Sequence, residues 1–516
     1  MKKFKLFTLL FVAIGFGFTA CDDDDSGEPD AGVTITGIPA TAEIENLGTL
    51  GPVTATLTAP DGLASFSITK DGAAFGEKVT YDGETTATVD FTYTATEEDE
   101  DNNIVFVFTA TDVDGDEESF THVLSVGEAV FFPNEVLSGL ITEDITLTND
   151  RIWELAGRVI VTGEATLEIE PGTIIKGRTG TGTNASVLMI ARDGMIDAVG
   201  TAENPIIFTT VEDNIQVGQL RGNNLTVDDR ELWGGVVILG NAPISPNAGT
   251  TAQIEGVPPS ESLGQYGGDN AADNRGNFQF VSLRHGGTTI DPVAGNDING
   301  LTLGGVGTGT TISDIEIFAN FDDGVEFFGG TVNVSNVLVY TVGDDAIDID
   351  QAYAGTVDNF LVFTSGKDAA DSDEGLEIDG PEGAANSGGK FTVQNGTITS
   401  IDGGGSAADF KSSAQGTVKN VKWSGFTGGA TIQIRASYTA DDCERRIDAL
   451  ANLLSEDLVF ETVEFGAISV YTSSAGCTTT DDQTAAEGII TSETATGASD
   501  ATVFNGWTLA SLSDLL

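Results

Sequence analysis

Basic residues are the scarcest charged class in this chain: 22 Lys and Arg stand against 80 Asp and Glu, a formal net charge of −58. Such a balance excludes nucleic acid and anionic lipid surfaces as natural partners, and leaves cations, basic partners or a salty medium. Cysteine numbers three, and none has a histidine nearby, which argues against a Cys/His metal site. Proline is held to 13 while glycine reaches 65, the balance of a chain that turns often. Beyond the first residues, no apolar run is long enough to cross a bilayer. Leucine shows no fixed period, which excludes a leucine-rich solenoid, and no longer bladed unit appears that a propeller would need. At 516 residues the chain exceeds what one core serves, unless the architecture grows by repetition.

The start of the chain reads as an address. Lys2, Lys3 and Lys5 precede a mostly apolar run from Leu6 to Phe18, the form of a secretory leader. The leader ends in Phe18-Thr19-Ala20-Cys21, which resembles a bacterial lipobox, with Phe18 where Leu is more usual. That resemblance implies cleavage after residue 20 and acylation of Cys21; removal of the three lysines takes the charge to −61. Asp22-Asp23-Asp24-Asp25 then opens an acidic, solvated tether over residues 21–32. An acidic run directly after the lipid-bearing cysteine is similar to the surface-export signal of Bacteroidota lipoproteins, although in enteric bacteria an Asp there signals inner-membrane retention. The expected location is the outer membrane, lipid-anchored and facing the exterior. Cys443 and Cys477 are left to pair as a disulfide, worth about 3 to 4 kcal/mol for a loop of roughly 35 residues.

Residues 33–128 alternate polar and apolar positions in short runs broken by Gly, Asp and Pro, which predicts an Ig-like β-sandwich. Within it Asp112-Val113-Asp114-Gly115-Asp116 resembles a calcium loop, but Gly115 comes too early for an EF-hand and the flanks are strands, so a hairpin turn is expected.

From residue 134 the pattern changes to short β-runs separated by glycine-containing corners. Two motifs recur in fixed order. The first is Ile312-Ser313-Asp314, Val334-Ser335-Asn336, Val357-Asp358-Asn359, Val393-Gln394-Asn395 and Val418-Lys419-Asn420, stepping by 22, 23, 36 and 25. The second is Val325-Glu326-Phe327, Ile347-Asp348-Ile349, Leu376-Glu377-Ile378, Ala408-Asp409-Phe410 and Ile432-Gln433-Ile434, stepping by 22, 29, 32 and 24. Columns that keep their order while the spacing varies are stacked coils with insertions at the corners. The predicted fold is all-β, a right-handed parallel β-helix over residues 134–437, with Asn336, Asn359, Asn395 and Asn420 as an asparagine ladder at a bend. About 330 residues at roughly 25 per turn predict some 13 coils and about 60 Å of length. Residues 438–480 read as an inserted helix over Tyr438–Val459, with Asp441 and Asp442 at its start and Ile447, Leu450, Leu453 and Leu454 on one face, tied down by the disulfide. Residues 481–516 read as the last coil and a C-terminal cap.

The phrases LEIEPGTIIKG, GTAENPIIFT, WGGVVILG and the pair DDGVEFFGG and GDDAIDID resemble a family of β-helical surface lipoproteins in Bacteroidota, with the pectate-lyase-like fold behind an Ig-like domain. The resemblance spans roughly residues 134–516 and implies architecture and location, not an activity.

In each second motif the flanking apolar residues point inward, so Glu326, Asp348, Glu377 and Asp409 point outward as a ladder. Beside them lie Asp322, Asp323, Asp344, Asp345, Asp373 and Glu374. Carboxylates about 4.8 Å apart repel by about 0.9 kcal/mol in water and roughly four times that at an effective dielectric of about 20. A wet ladder tolerates this, whereas a sheltered one needs a counter-ion. Two readings therefore stand open, Ca²⁺ held along this face or a charged, solvated wall. For function, the expectation is a non-catalytic binding or adhesion module for glycans, divalent cations or an outer-membrane protein. The alternative is a calcium-assisted polysaccharide lyase or a glycoside hydrolase. Asp344-Asp345 resembles the paired aspartates of polygalacturonases, but the His-bearing and Arg-Ile-Lys motifs of that family are missing, and the only histidines are His122 and His285. Lys367, Lys390, Lys411 and Arg435 are the basic residues a lyase would draw on. His285, before Gly286-Gly287, reads as a turn histidine. Trp153, Trp423 and Trp507 read as core or cap, and Trp233 is the best exception as a sugar platform.

Overall fold

A computed structural model describes residues 33–516 apart from 45–47, 97–98, 100–101, 128–134, 258–261, 292–295, 367–373, 440–442, 447, 473–476 and 478–479. The leader, Cys21 and the tether lie outside the described residues. The chain divides into two compact units, residues 1–130 and 131–516.

In the first unit, period-two alternation produces two sheets. Thr34–Thr36, Thr49–Thr58 and Thr86–Thr94 form one; Thr41–Ile44, Glu117–Val126, Asn103–Asp112, Leu63–Lys70 and Ala73–Thr80 form the other. Their apolar faces meet: Phe91 of the first sheet packs edge-on against Phe106 and Phe108 of the second, at 4.9 and 5.1 Å between ring centres. All pairings are antiparallel except Thr41–Ile44 with Glu117–Val126. Asp112 Oδ1 accepts from the Asp114 and Asp116 amides at 3.1 and 2.8 Å, so the DVDGD run is the hairpin turn that its strand flanks predict.

The second unit is a parallel β-helix, one 23-strand sheet wound into three faces. The strands of that sheet all pair in parallel, so each coil supplies the hydrogen-bond partners of its neighbours. The third face, which carries the candidate site, has eleven rungs among the described residues. They run from residues 139–141 through residues 158–161, Val187–Ile190, Val236–Leu239, Leu301–Gly304, Val325–Phe328, Ile347–Asp350, Glu377–Ile378, Ala408–Phe410 and Thr431–Arg435 to Ala467–Tyr471. The core inside the coils is aliphatic, with Phe278, Phe327, Phe360 and Phe410 among its largest members. Between the first and second faces the chain bends at Asp314, Asn336, Asn359, Asn395 and Asn420, all left-handed with φ of 51–58°. Asn and Asp tolerate that conformation best after glycine. Here the asparagine ladder exists: Asn336 donates to Asp314 at 2.8 Å, Asn359 to Asn336 at 2.7 Å and Asn420 to Asn395 at 2.8 Å. It breaks between Asn359 and Asn395, where Asn395 turns to Asp358 and the Asn359 carbonyl takes the Asp500 amide instead.

The end of the chain differs from the sequence reading in three ways. The inserted helix is short, Ala449–Leu454, and starts at Asp448, whose carboxylate accepts from the Ala449 amide; Asp441, Asp442 and Ile447 lie outside the described residues. A second helix, Thr480–Ile489, was not legible as one because its text is polar and only Asp482 and Ala486 are buried. These two helices close the last coil: Leu450, Leu453 and Ala486 join the main core, and Gln483 satisfies the Val470 amide and the Ile468 carbonyl on the terminal strand, both at 2.7 Å. The Cys443–Cys477 bridge, with Cα atoms 5.7 Å apart, holds this segment together. Third, residues 496–516 do not cap that coil. They run back along the outside of the second face, from the Asn420 rung to that of Glu316, because the outward side chains Phe318, Tyr340 and Leu361 there are apolar and receive Phe504, Trp507 and Leu509.

Candidate functional site

The outward positions of the third face form one continuous stack. In register they read Ile160, Met189, Val237, Thr302, Glu326, Asp348, Glu377, Asp409 and Gln433. A second stack, two residues further along each strand, reads Leu239, Gly304, Phe328 and Asp350; Asp379, Lys411 and Arg435 continue it at the same offset. So the face changes character along its length: apolar on the early rungs, acidic in the middle, and mixed acidic and basic at the end.

The early apolar rungs are covered by residues 240–257 and 262–268, whose Ile244, Ile254, Val257 and Tyr266 pack on Met189, Val237, Leu239 and Phe328. That cover comes so close at Gly304 that a Cβ there would lie 2.9 Å from the Tyr266 ring. The same segment extends over the acidic rungs and brings Glu255 onto the wall. A second covering stretch supplies Glu382, which accepts from Gln351 at 3.0 Å and from the Asn247 side chain at 2.9 Å. The wall is therefore sheltered: Glu326, Asp348 and Asp409 are 6, 7 and 1 % exposed, although all face away from the core as their spacing requires.

The doublets divide the labour. Asp323 and Asp345, the second member of each, are buried at the corner and accept from the next coil: the Asp345 amide donates to Asp323 at 2.9 Å, and the Glu374 amide to Asp345 at 2.8 Å. Asp322 and Asp344, the first members, are half-buried at the rim. Oxygen atoms of Asp323, Glu326 and Asp348 lie within 4.8 Å of one another; so do those of Asp322, Asp323 and Asp344, and those of Asp345, Glu374 and Glu377. Nine of the ten acids expected from the sequence thus fall on one face, Asp409 at its far end, while Asp373 is outside the described residues.

Burial is the main force on their protonation, and like charges add to it. Glu326, Asp323, Asp345, Asp348 and Asp350 are all held well above the ordinary carboxylate range by burial first and by the charge of neighbouring carboxylates second. Glu255 is pushed up to about 7 by burial, against hydrogen bonds with Glu326 and Asn299. Asp322 is pushed up to about 8 by burial and by Asp297, Glu255 and Asp344. Two buried oxygens in this group have no hydrogen-bond partner, Asp348 Oδ1 and Asn299 Oδ1. Asn299 donates its amide to Glu326 and to Thr302 Oγ1, the latter at 3.2 Å, and so lines the same rung.

The later rungs are different. Lys411 sits between Glu377 and Asp379 at 2.7 and 3.2 Å; burial pulls its ammonium pKa down, but the two carboxylates outweigh that and hold it above normal. Arg435 closes a fork on both oxygens of Asp409 and lies 4.3 Å from the centre of the Tyr471 ring. Both basic residues are counter-ions of the ladder. Lys390 forms an exposed pair with Asp457, and Lys367 is outside the described residues.

Sequence reasoning missed Glu255, Asn299, Asp350 and Asp379. Asp350 and Asp379 were within reach, since each follows a ladder acid by two residues and must face the same way. Glu255 sits in an insertion, where no periodicity points to it; Asn299 stands two residues before Leu301 as Asp323 stands before Val325 and Asp345 before Ile347, so it belongs to their corner column but is not an acid. Trp233 is corrected outright: it is 1 % exposed, stacks on Phe208 and donates to the Arg284 carbonyl at 2.8 Å, so no sugar reaches it. His285 is a left-handed turn residue as expected, and it is buried, with Nδ1 2.7 Å from the Asp229 carbonyl.

A family model described as a pectate-lyase-like β-helix domain matches residues 139–511. No curated protein matches the chain. Among solved structures, a family 28 exopolygalacturonase of Yersinia enterocolitica is similar at 12% identity and a TM-score of 0.18, over 84% of this chain and 95% of that one. The catalytic domain of a GH87 α-1,3-glucanase in complex with nigerose is similar at 9% identity and a TM-score of 0.19, over 73% of this chain and 88% of that one.

Proposed function

Because this chain belongs to the pectate-lyase-like β-helix domain family, we propose that it is a β-helical binding module at the bacterial cell surface, of the Bacteroidota lipoprotein type. In this reading Cys21 carries the acyl anchor in the outer membrane. The acidic tether and the sandwich, read as Ig-like, space the β-helix from the bilayer. The β-helix binds glycans or an outer-membrane protein without cleaving them, with Ca²⁺ along its acidic wall. One observation carries this: the middle rungs stack buried carboxylates that have no ion-pair partner among the described residues, and such a stack needs cations or protons. Against catalysis stand the occupied basic residues. Lys411 is held protonated between two carboxylates and Arg435 is locked on Asp409, so neither is available to abstract a proton.

A glycoside hydrolase remains the second reading, on one specific observation. Asp322, pushed up to about 8 at the half-buried rim beside Asp344, is a carboxyl that keeps its proton at neutral pH, as a general acid must. Incubation of the ectodomain with neutral and acidic polysaccharides, with and without Ca²⁺, separates the two. Retention on a polysaccharide with no release of reducing ends or unsaturated products supports a binder; product release that disappears in Asp322→Asn supports the hydrolase. Fatty-acid labelling that is lost in Cys21→Ser tests the anchor.

A further inference from the structure

The basic residues of the later rungs show where the ladder provides its own cation, and therefore where it does not. Lys411 serves Glu377 and Asp379, and Arg435 serves Asp409. One and two rungs earlier, at Asp348 and Glu326, no basic side chain within ion-pair distance is found among the described residues. The oxygens that converge there are unusual in their needs. Asp323, Glu326 and Asp348 bring carboxylate oxygens within 4.8 Å of one another. Asp348, 7 % exposed, leaves Oδ1 without a partner, and Asn299, 1 % exposed, leaves Oδ1 without one while its amide group is spent on Glu326 and Thr302. A buried oxygen left unpaired costs free energy unless something positive meets it. From above, Glu255 on the covering segment shares a hydrogen bond with Glu326. Two carboxyl groups in such contact need either a shared proton or a cation between them.

We propose that this chain holds one hard divalent cation, Ca²⁺ by its all-oxygen donor set, on Asp323, Glu326, Asp348 and the Asn299 carbonyl, and that Glu255 completes the site so that the ion fastens the covering segment to the wall. This rests on the reading that the acidic wall takes cations, and adds which rung, how many and to what effect. Hard cations of this kind take roughly six to eight oxygens, which these five side chains reach with bidentate carboxylates or water. The covering segment is anchored elsewhere by apolar contacts of Ile254, Val257 and Tyr266, so Glu255 is the place where an ion adds a tie between cover and wall. Lys411, with its ammonium between Glu377 and Asp379, stands on its own rung as the built-in equivalent of that ion.

The test uses the whole ectodomain, stripped with chelator and titrated with CaCl₂ by calorimetry, with amide exchange followed at residues 252–257. One Ca²⁺ per chain is expected, with slower exchange at those residues on binding. Asp348→Asn, nearly isosteric, should weaken binding by more than about 10-fold, the least that even an outer-shell partner of a metal ligand is worth. Glu255→Gln should leave binding measurable but abolish the exchange protection at 252–257. Binding of unchanged affinity in Asp348→Asn, with the melting temperature of the chelated variant within a few degrees of wild type, overturns this site while leaving a cation-binding wall intact. Protection at 252–257 that persists in Glu255→Gln overturns the clamp. Wild-type protein that binds no Ca²⁺ at millimolar concentration overturns both the site and the wider reading of the wall.

Discussion

Two halves of one ladder solve the same electrostatic problem differently. On the later rungs, Glu377 with Asp379 and Asp409 are met by Lys411 and Arg435, side chains from the same strands or the next. On the earlier rungs, Glu326, Asp348, Asp323 and Asp350 have no basic side chain within ion-pair distance among the described residues, and burial holds all four well above the ordinary carboxylate range. Backbone geometry is the same in both, since the register from Glu326 to Gln433 runs unbroken. What differs is only where the neutralising charge comes from. A parallel β-helix superimposes like residues on like, so any outward acid that recurs becomes a line of charge, and each rung must then take a lysine, a proton or an ion.

Breaking the paired half should have the largest effect. Arg435→Met leaves Asp409, whose side chain is 2% exposed, buried without its partner, at a cost of about 3 kcal/mol in the melting of the β-helix. Supplying the missing charge to the unpaired half comes next: Ca²⁺ at about 100 times its Kd should stabilise by about 2.7 kcal/mol, roughly 3 °C for a unit of this size. Lys411→Met should cost about 2 kcal/mol, less than Arg435 because its carboxylates are partly solvated, and should convert the one-ion ladder into a two-ion one, read as a second Ca²⁺ per chain by calorimetry.

Protonation sharpens the same contrast. Glu255 at about 7 and Asp322 at about 8 hold their protons more tightly folded than unfolded, where carboxyls titrate near 4. Their contribution is therefore complete below about pH 4 and is lost as pH rises through the folded values. Chelated protein should melt progressively lower from about pH 5 to pH 9, and Ca²⁺ should restore stability at pH 8 while doing little at pH 5. The smallest effect is expected of Asp348→Asn without calcium, about 1 kcal/mol or less in either direction, since it replaces one protonated buried group by a neutral isostere. A large destabilisation of that chelated variant would mean that Asp348 is ionised and paired.

Much of this is legible in the sequence. The stacking of Glu326 on Asp348, Glu377 and Asp409, and the bend at Asn336, Asn359, Asn395 and Asn420, follow from recurrences that survive variable spacing, because a parallel ladder admits only whole-coil registers. Shelter was not legible. It comes from residues 240–257 and 262–268 and from the stretch that carries Glu382, insertions with no period of their own, and their packing depends on apolar side chains such as Met189 and Val237 that an observer counting acids passes over. The pairing by Lys411 was half legible, because Lys411 follows Asp409 by two residues and so faces outward one rung after Asp379. The C-terminal segment misled for a plain reason: Phe504, Trp507 and Leu509 do cover exposed apolar surface, but on the outward rings of Phe318 and Tyr340 rather than on the last coil, which Gln483 and the helices around the disulfide had already closed.

The most direct test of the ladder's division is anomalous diffraction from crystals of residues 33–516 grown in CaCl₂. A single peak bounded by Glu326, Asp348 and Asn299, with none beside Lys411 or Arg435, is the predicted result. A map with no peak on that rung at saturating calcium, or with calcium seated at the arginine and lysine rungs instead, would contradict it.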